Sequence, residues 1–423
     1  MIGRFKNIFH TFIISIIIIS LLYSKILPDF LWALPDLFLD FKMPLNWLEC
    51  HSLGFDLITT ENVDCGTGKK ISQFNYGYIF LSIPYNDILS IFYRDYLPWV
   101  LMFFFIYLTL KIINPKNKLE IVLVYLALLN PSTMLLIERM QLDCLFYIAI
   151  IFTIYNRFYF INWFLGFYFA LIKFYPIAFL VTIFIEDRNR SLKKIFIIII
   201  SLSILFFTYL YINREFYSFM LNNMLPGKAG YHFLYSLNAI PKIFKYVFNI
   251  NYQVLLVVFY SFFIFTTIKI YKRVNQENTL WQKKGNHYLN KAMYTSDSKV
   301  FLIGGYFSIF LFLLVSSYAY KEIFLILLIP LILNIKNNYS DKIFTFLIYI
   351  FIFRYCYLFL YAYINIHDGI TFINGQRIFT VKFLLTIFFK AILDFILMSI
   401  VFAILYLKTK MYILDKLKNL KFS

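Results

Sequence analysis

The chain has 423 residues, of which 61% are apolar, 22% aromatic and only 15% charged, with a formal net charge of +18. A soluble domain is about half apolar and a quarter charged, so this composition excludes a globule that covers its core with polar surface, and makes the bilayer the solvent. The charge does not point to nucleic acid, because Lys and Arg fall in short clusters between apolar runs, as in cytoplasmic loops under the positive-inside rule.

At the N-terminus, Arg4 and Lys6 precede an apolar run over about 8–27. The run is long for a signal-peptide core, and Leu27-Pro28-Asp29-Phe30 is not a small-residue cleavage site, so the segment reads as a retained anchor entering from the cytoplasm. A polar stretch over 28–96 reads as a long first extracytoplasmic loop. Further apolar runs cover about 96–113, 119–137, 142–156, 162–186, 195–213, 253–271, 299–316, 322–335, 343–363 and 381–407. At about 20 residues per crossing, the expectation is an all-α polytopic membrane protein of roughly ten to twelve transmembrane helices. The whole of 1–423 is expected to form one integral membrane domain.

The run at 162–186 decides the topology. Unbroken, it places Arg188, Arg190, Lys193 and Lys194 outside, together with the basic 272–298 linker. Split at Lys173-Phe174-Tyr175-Pro176, it returns both clusters and the C-terminal Lys408, Lys410, Lys416 and Lys418 to the cytoplasm. Pro176 lacks a backbone donor and biases Tyr175 away from helical geometry, so a break there is expected. Both termini are then cytoplasmic in a plasma (inner) membrane. The outer face carries the 28–96 loop, the turn at 138–143, the Lys173–Pro176 apex, the 214–250 loop, Ser316–Glu322, and the 364–380 loop with His367, Asp368 and Arg377.

Ionisable groups at a membrane edge are candidates for function. In the outer loop, Asp36, Asp40, Glu49 and Asp56 lie beside aromatic residues, where a carboxylate can act as a tuned general base or simply cap a solvated loop. Two carboxylates four apart are too few to specify a metal, so no metal site is assigned, although a divalent ion between Asp36 and Asp40 stays open. Cys50 and Cys65, fifteen positions apart in an outer loop, are expected to form a disulfide, with Cys144 and Cys356 free in apolar spans. Glu138, Arg139 and Asp143 crowd one turn, where Arg139 either grips a phosphate or is neutralised by its two acidic neighbours. Lys173 sits at the helix break, either snorkelling or facing a ligand, and Tyr320-Lys321-Glu322 is a similar case. Arg354, Lys390 and Asp394 fall mid-span in the last two helices and are expected to pair. The five histidines show no ligand spacing, and no Gly-rich phosphate loop is present, which excludes a cytoplasmic ATPase.

The stretch Glu138-Arg139-Met140-Gln141-Leu142-Asp143, followed thirty residues on by Lys173-Phe174-Tyr175-Pro176, resembles the pattern E-R-G-N-x-D … K-x-Y-P. That pattern marks GT-C glycosyltransferases of the family 87 type, which take their sugar from a polyprenyl phosphate. Asp40-Phe41-Lys42 with Gly54-Phe55-Asp56 resembles the D-[LF]-R … G-x-D signature of their first outer loop, and Asn75-Tyr76-Gly77 and Tyr320-Lys321 resemble segments of further relatives. Met140 and Gln141 stand where the pattern has Gly and Asn. The resemblance implies a GT-C-like bundle and an inverting membrane glycosyltransferase, with Asp40 as base, Asp36 supporting it, and Lys173, Arg139 and Lys321 at the donor phosphate. Glu138, Asp143, Tyr175 and Tyr320 would support them. The expected partners are the lipid bilayer, the lipid-linked donor and a glycan or glycolipid acceptor, with no cofactor beyond the substrates. An O-antigen-polymerase-like enzyme and a lipid-glycan flippase or transporter are the alternatives.

Overall fold

The computed structural model describes residues 2–24, 37–57, 65, 74, 76–155, 159–173, 176–178, 192–223, 234–283, 295–314, 317–339, 342–367, 370–373 and 376–420. The first half of the chain forms α1 (Ile2–Tyr23), α2 (Leu39–Ser52), a 3-10 turn at Tyr78–Ser82, α3 (Asp87–Asp95), α4 (Leu97–Ile113), α5 (Lys118–Leu129), α6 (Pro131–Arg139), α7 (Asp143–Tyr155) and α8 (Tyr159–Ile172). Then come α9 (Leu192–Ile212), α10 (Arg214–Asn223), β1 (Leu234–Tyr235), α11 (Ala239–Phe248), α12 (Tyr252–Lys283), α13 (Ser296–Leu314) and β2 (Ser317–Tyr318). A long 3-10 segment at Ala319–Leu328, α14 (Ile329–Tyr339), α15 (Lys342–His367), β3 (Ile370–Ile373), β4 (Gln376–Phe379) and α16 (Val381–Leu420) complete it.

Among the described residues, five helical stretches are long and apolar enough to cross a membrane: Lys6–Tyr23, Tyr252–Gln276, Ser296–Leu313, Lys342–His367 and Val381–Met411. The number rises to seven if the bent pairs α3–α4 and α5–α6 each count as one span; α7, α8 and α9 contain shorter apolar helices. The protein is therefore a predominantly helical, multi-pass membrane protein. In lipid, a helix satisfies its own backbone groups, which is why apolar runs of this length take that form.

Both bends have a local cause. Asn86 opens α3 by accepting the Leu89 N–H at 3.1 Å, and α3 meets α4 at 47° around Tyr96, just ahead of Pro98. Asn130 interrupts α5 and α6 at the same angle, its side-chain oxygen accepting the N–H groups of Ser132 at 3.0 Å and Thr133 at 3.1 Å. Pro131 takes the first helical position, where its missing N–H costs nothing.

The described chain falls into two compact units. One comprises Met1–Ala33, Ile106–Leu135 and Ala229–Ser423; the other comprises Leu34–Phe105 and Leu136–Lys228. In the first, α13 packs on the 3-10 segment through Gly304, where a Cβ would lie 2.3 Å from that of Leu327. Only a residue without a side chain permits that approach. Phe301, Phe307, Phe312 and Phe324 fill the surrounding core. Arg354 on α15 contacts Asp394 on α16 at 2.6 Å, and Lys390 contacts the same carboxylate at 2.9 Å. Glu322 completes a buried quartet, 2.6 Å from Arg354 and 2.7 Å from Lys390. Glu322, which the sequence grouped with the outer-face residues, is buried here, where the 3-10 segment turns it toward Arg354 and Lys390. Two short antiparallel ladders also belong to this unit: β1 with β2, and β3 with β4, the latter in the register Ile370↔Phe379 and Ile373↔Gln376.

In the second unit, the polar stretch expected as a loop contains α2, the 3-10 turn and α3. Cys50 and Cys65 are joined, their Cα atoms 5.5 Å apart, while Cys144 and Cys356 are not in disulfides. Closing so short a loop is worth about 3 kcal/mol in the chain-entropy model.

Candidate functional site

Helix α2 starts from an uncommon backbone. Phe38 is left-handed (φ 62°), and its N–H donates to the carbonyl of Glu138 at 2.8 Å. That bond ties the turn carrying Asp40 to the end of α6. Four residues after Asp40 stands Pro44, which has no N–H to return to the Asp40 carbonyl. Phe41 stacks on Tyr93 at 4.3 Å and Phe38 meets Trp99 edge-on at 4.8 Å, anchoring the turn with aromatic contacts.

The end of α6 accounts for one position at which the chain differs from the pattern that the segment resembles. The Met140 N–H donates to Ile137 O at 3.1 Å and the Gln141 N–H to Leu136 O at 3.3 Å, the paired bonds of a Schellman cap. The cap requires its next-to-last residue to be left-handed, and Met140 is (φ 45°). This is the position at which the pattern carries Gly. For a residue with a Cβ that conformation costs about 1–2 kcal/mol. The Met140 side chain is fully buried, and burying it offsets the strain.

Beyond the cap, the residues converge. Gln141 Nε2 donates to Asp40 Oδ2, and Arg139 Nη1 lies 3.6 Å from the same oxygen. Arg139 Nε is 3.8 Å from Glu138 Oε2. Lys173 follows the last residue of α8, at the position expected for the helix break, and its Nζ lies 3.2 Å from Asp143 Oδ2. The ammonium also sits 5.0 Å from the centroid of the Tyr76 ring, a cation–π contact. Tyr76 is held in place by its neighbour Gly77, whose N–H caps Ile172 O at 2.8 Å. A Cβ on Gly77 would fall 1.7 Å from Leu171 O, so no other residue fits. Trp47, two helical turns beyond Asp40 on the same face of α2, meets Tyr76 edge-on at 5.2 Å.

The cluster lies within the second unit and, among the described residues, brings three carboxylates together with two cations. Burial pushes the Asp40 carboxyl above the usual carboxylate range, while Arg139, Gln141 and Lys173 pull it partly back. A raised pKa makes a carboxylate a better proton acceptor than an unperturbed one. Among the described residues no group of three or more His, Cys, Asp or Glu side chains is arranged to hold a metal.

Asp40, Glu138, Arg139, Asp143 and Lys173 are thus brought together from segments about a hundred and thirty positions apart in the chain. Of the pairings that the spacing offered, Arg139 with Glu138 is present, whereas Asp143 pairs with Lys173 and Arg139 is shared with Asp40. Asp36 and Tyr175 lie outside the described residues. Tyr320 and Lys321 belong to the other unit, in the 3-10 segment. Gln141 and Tyr76 are additions; the carboxamide aligned with the pattern's Asn was the available signal for the first, and the Asn75-Tyr76-Gly77 match for the second. The chain matches no protein-family model, no curated protein and no solved structure.

Proposed function

We propose that the protein is an inverting glycosyltransferase of GT-C-like architecture, with roughly ten to twelve crossings at about 20 residues each. In this reading it lies in the plasma (inner) membrane with both termini cytoplasmic. It moves a sugar from a polyprenyl phosphate to a glycan or glycolipid acceptor on the outer face. The observation that carries the reading is the convergence of Asp40, Arg139 and Lys173, the three positions for which the motif resemblance implies a base and phosphate contacts.

The acceptor hydroxyl gives its proton to Asp40 as its oxygen attacks the anomeric carbon. The bond from that carbon to the phosphate oxygen breaks on the opposite side, and polyprenyl phosphate leaves with the electron pair. Proton uptake neutralises Asp40 and weakens its attraction for Arg139. Arg139, until then shared with Asp40, becomes available to the departing phosphate, with Lys173 beside Tyr76 as the second cation. The lipid-linked sugar carries its own activation, so the scheme uses no cofactor.

Membranes containing the protein, supplied with a radiolabelled polyprenyl-phosphate sugar, are expected to transfer label, and Asp40→Asn is expected to lower the rate by about 10²–10⁴ while donor binding survives. Because the Asp40 pKa is raised, the active basic form is lost as pH falls through that raised value. The acid limb of the rate profile should therefore lie above that expected for an unperturbed Asp. Undiminished transfer by Asp40→Asn refutes the assignment, and transport of the lipid-linked sugar without transfer favours the flippase.

A further inference from the structure

We infer that Gln141 is the positioning residue for the Asp40 carboxylate: its amide fixes Oδ2 and leaves Oδ1 as the atom that receives the acceptor's proton. The inference rests on the reading of Asp40 as the base, and extends it to a residue at which the chain departs from the family pattern.

Among the described residues, both partners of Asp40 fall on one oxygen. Gln141 Nε2 donates to Oδ2 and Arg139 Nη1 approaches the same atom at 3.6 Å, whereas Oδ1 has neither. At that distance the guanidinium supplies charge without a directional hydrogen bond, and the Arg139 side chain is one-quarter exposed. The amide is the contact that sets the plane of the carboxylate. A neutral donor suits a base, because a second close cation would lower its proton affinity further.

Both residues of the pair are held by their backbones. Gln141 is pinned through its N–H on Leu136 O and through its carbonyl, which accepts the Cys144 N–H at 2.9 Å. The residue is 9% exposed. The left-handed Met140 aims it, and the left-handed Phe38, bonded to Glu138 O, aims Asp40. Strained conformations at the two turns that deliver the pair are the mark of an arrangement determined by its surroundings. The longer side chain of Gln, in place of the pattern's Asn, reaches one methylene further toward Asp40. In the reacting step the acceptor's proton passes to Oδ1 while its oxygen bonds to the anomeric carbon and the phosphate oxygen departs.

The test uses the full-length protein in nanodiscs with Gln141→Met, Gln141→Asn, Asp40→Glu, and the last two combined. An infrared pH titration follows the Asp40 carboxyl, its band identified by its loss in Asp40→Asn. Without the amide's hydrogen bond, Gln141→Met should titrate at higher pH than the parent. The acid limb of kcat/KM for sugar transfer should rise by the same interval, with kcat lower by about 10²-fold, as for a misplaced catalytic group, and KM for the donor unchanged. The combined Asp40→Glu and Gln141→Asn variant exchanges one methylene across the contact and should exceed both single variants in rate. An unmoved carboxyl midpoint in folded Gln141→Met overturns the Gln141 inference whatever the activity. A moved midpoint alongside full transfer by Asp40→Asn overturns the base assignment and, with it, the role given to Oδ1, while the contact itself stands.

Discussion

Among the described residues, Lys173 and Arg139 contact three carboxylates at different depths, and the depth decides what losing each one does. Lys173 is the partner of Asp143, a carboxylate with no exposure to solvent, at 3.2 Å. Arg139 makes longer contacts, at 3.6 and 3.8 Å, from a side chain that is one-quarter exposed. The chain order left two readings open for each: Arg139 as a phosphate contact or neutralised by its acidic neighbours, and Lys173 as snorkelling or facing a ligand. Removing one partner of a buried ion pair costs about 3–5 kcal/mol, because the other charge is left in low dielectric, whereas a pair that water reaches costs less. Lys173→Met is therefore expected to lower the midpoint of thermal unfolding in detergent by more than Arg139→Met does. The reverse order would show that Asp143 is satisfied without Lys173. Donor affinity must be measured on variants that pass this folding check.

At the scale of elements, the quartet of Glu322, Arg354, Lys390 and Asp394 joins the 3-10 segment, α15 and α16. Its two positive and two negative charges cancel, all four side chains are at most 3% exposed, and Ser132 adds a hydrogen bond to Glu322 at 3.2 Å. Charges this deeply buried and this closely paired hold the three elements together. Arg354→Met is expected to destabilise the protein by about 3–5 kcal/mol, and combining it with Glu322→Leu should recover part of that loss. A double variant no more stable than the single one, by thermal unfolding, would show that the pair is not the source of the loss. The hairpin of β3 and β4 offers a contrast. Its two strands flank Asn374-Gly375, the dipeptide favoured in two-residue hairpins, so the signal stood in the sequence although the segment read as a loop.

For the molecule as a whole, the basic clusters decide sidedness. Arg188, Arg190, Lys193 and Lys194, together with the 272–298 linker, are expected on the cytoplasmic side. Asn189→Cys and Gln282→Cys, each made in a chain freed of exposed thiols, should resist a membrane-impermeant reagent applied to intact cells and react after permeabilisation. Labelling of either in intact cells would put the Asp40 cluster's supposed outer face in the cytoplasm and remove the lipid-linked donor from the scheme. The membrane character and the helices are written in the sequence, because apolar runs without water must satisfy their own backbone, and the requirement acts within each run. Local cues also mark the bends at Asn130 and the end of α8 before Lys173. What the tertiary structure decided is who meets whom. Asp143 faces Lys173, Glu322 joins Arg354, and Gln141 reaches Asp40 because backbone caps, a glycine too tight for any Cβ and two left-handed residues bring distant segments into contact. The pairing of Arg354, Lys390 and Asp394 was legible, because all three fall mid-span in the last two helices and two of them lie four apart on one helix. Contacts of a few ångströms between more distant segments leave no record in spacing along the chain.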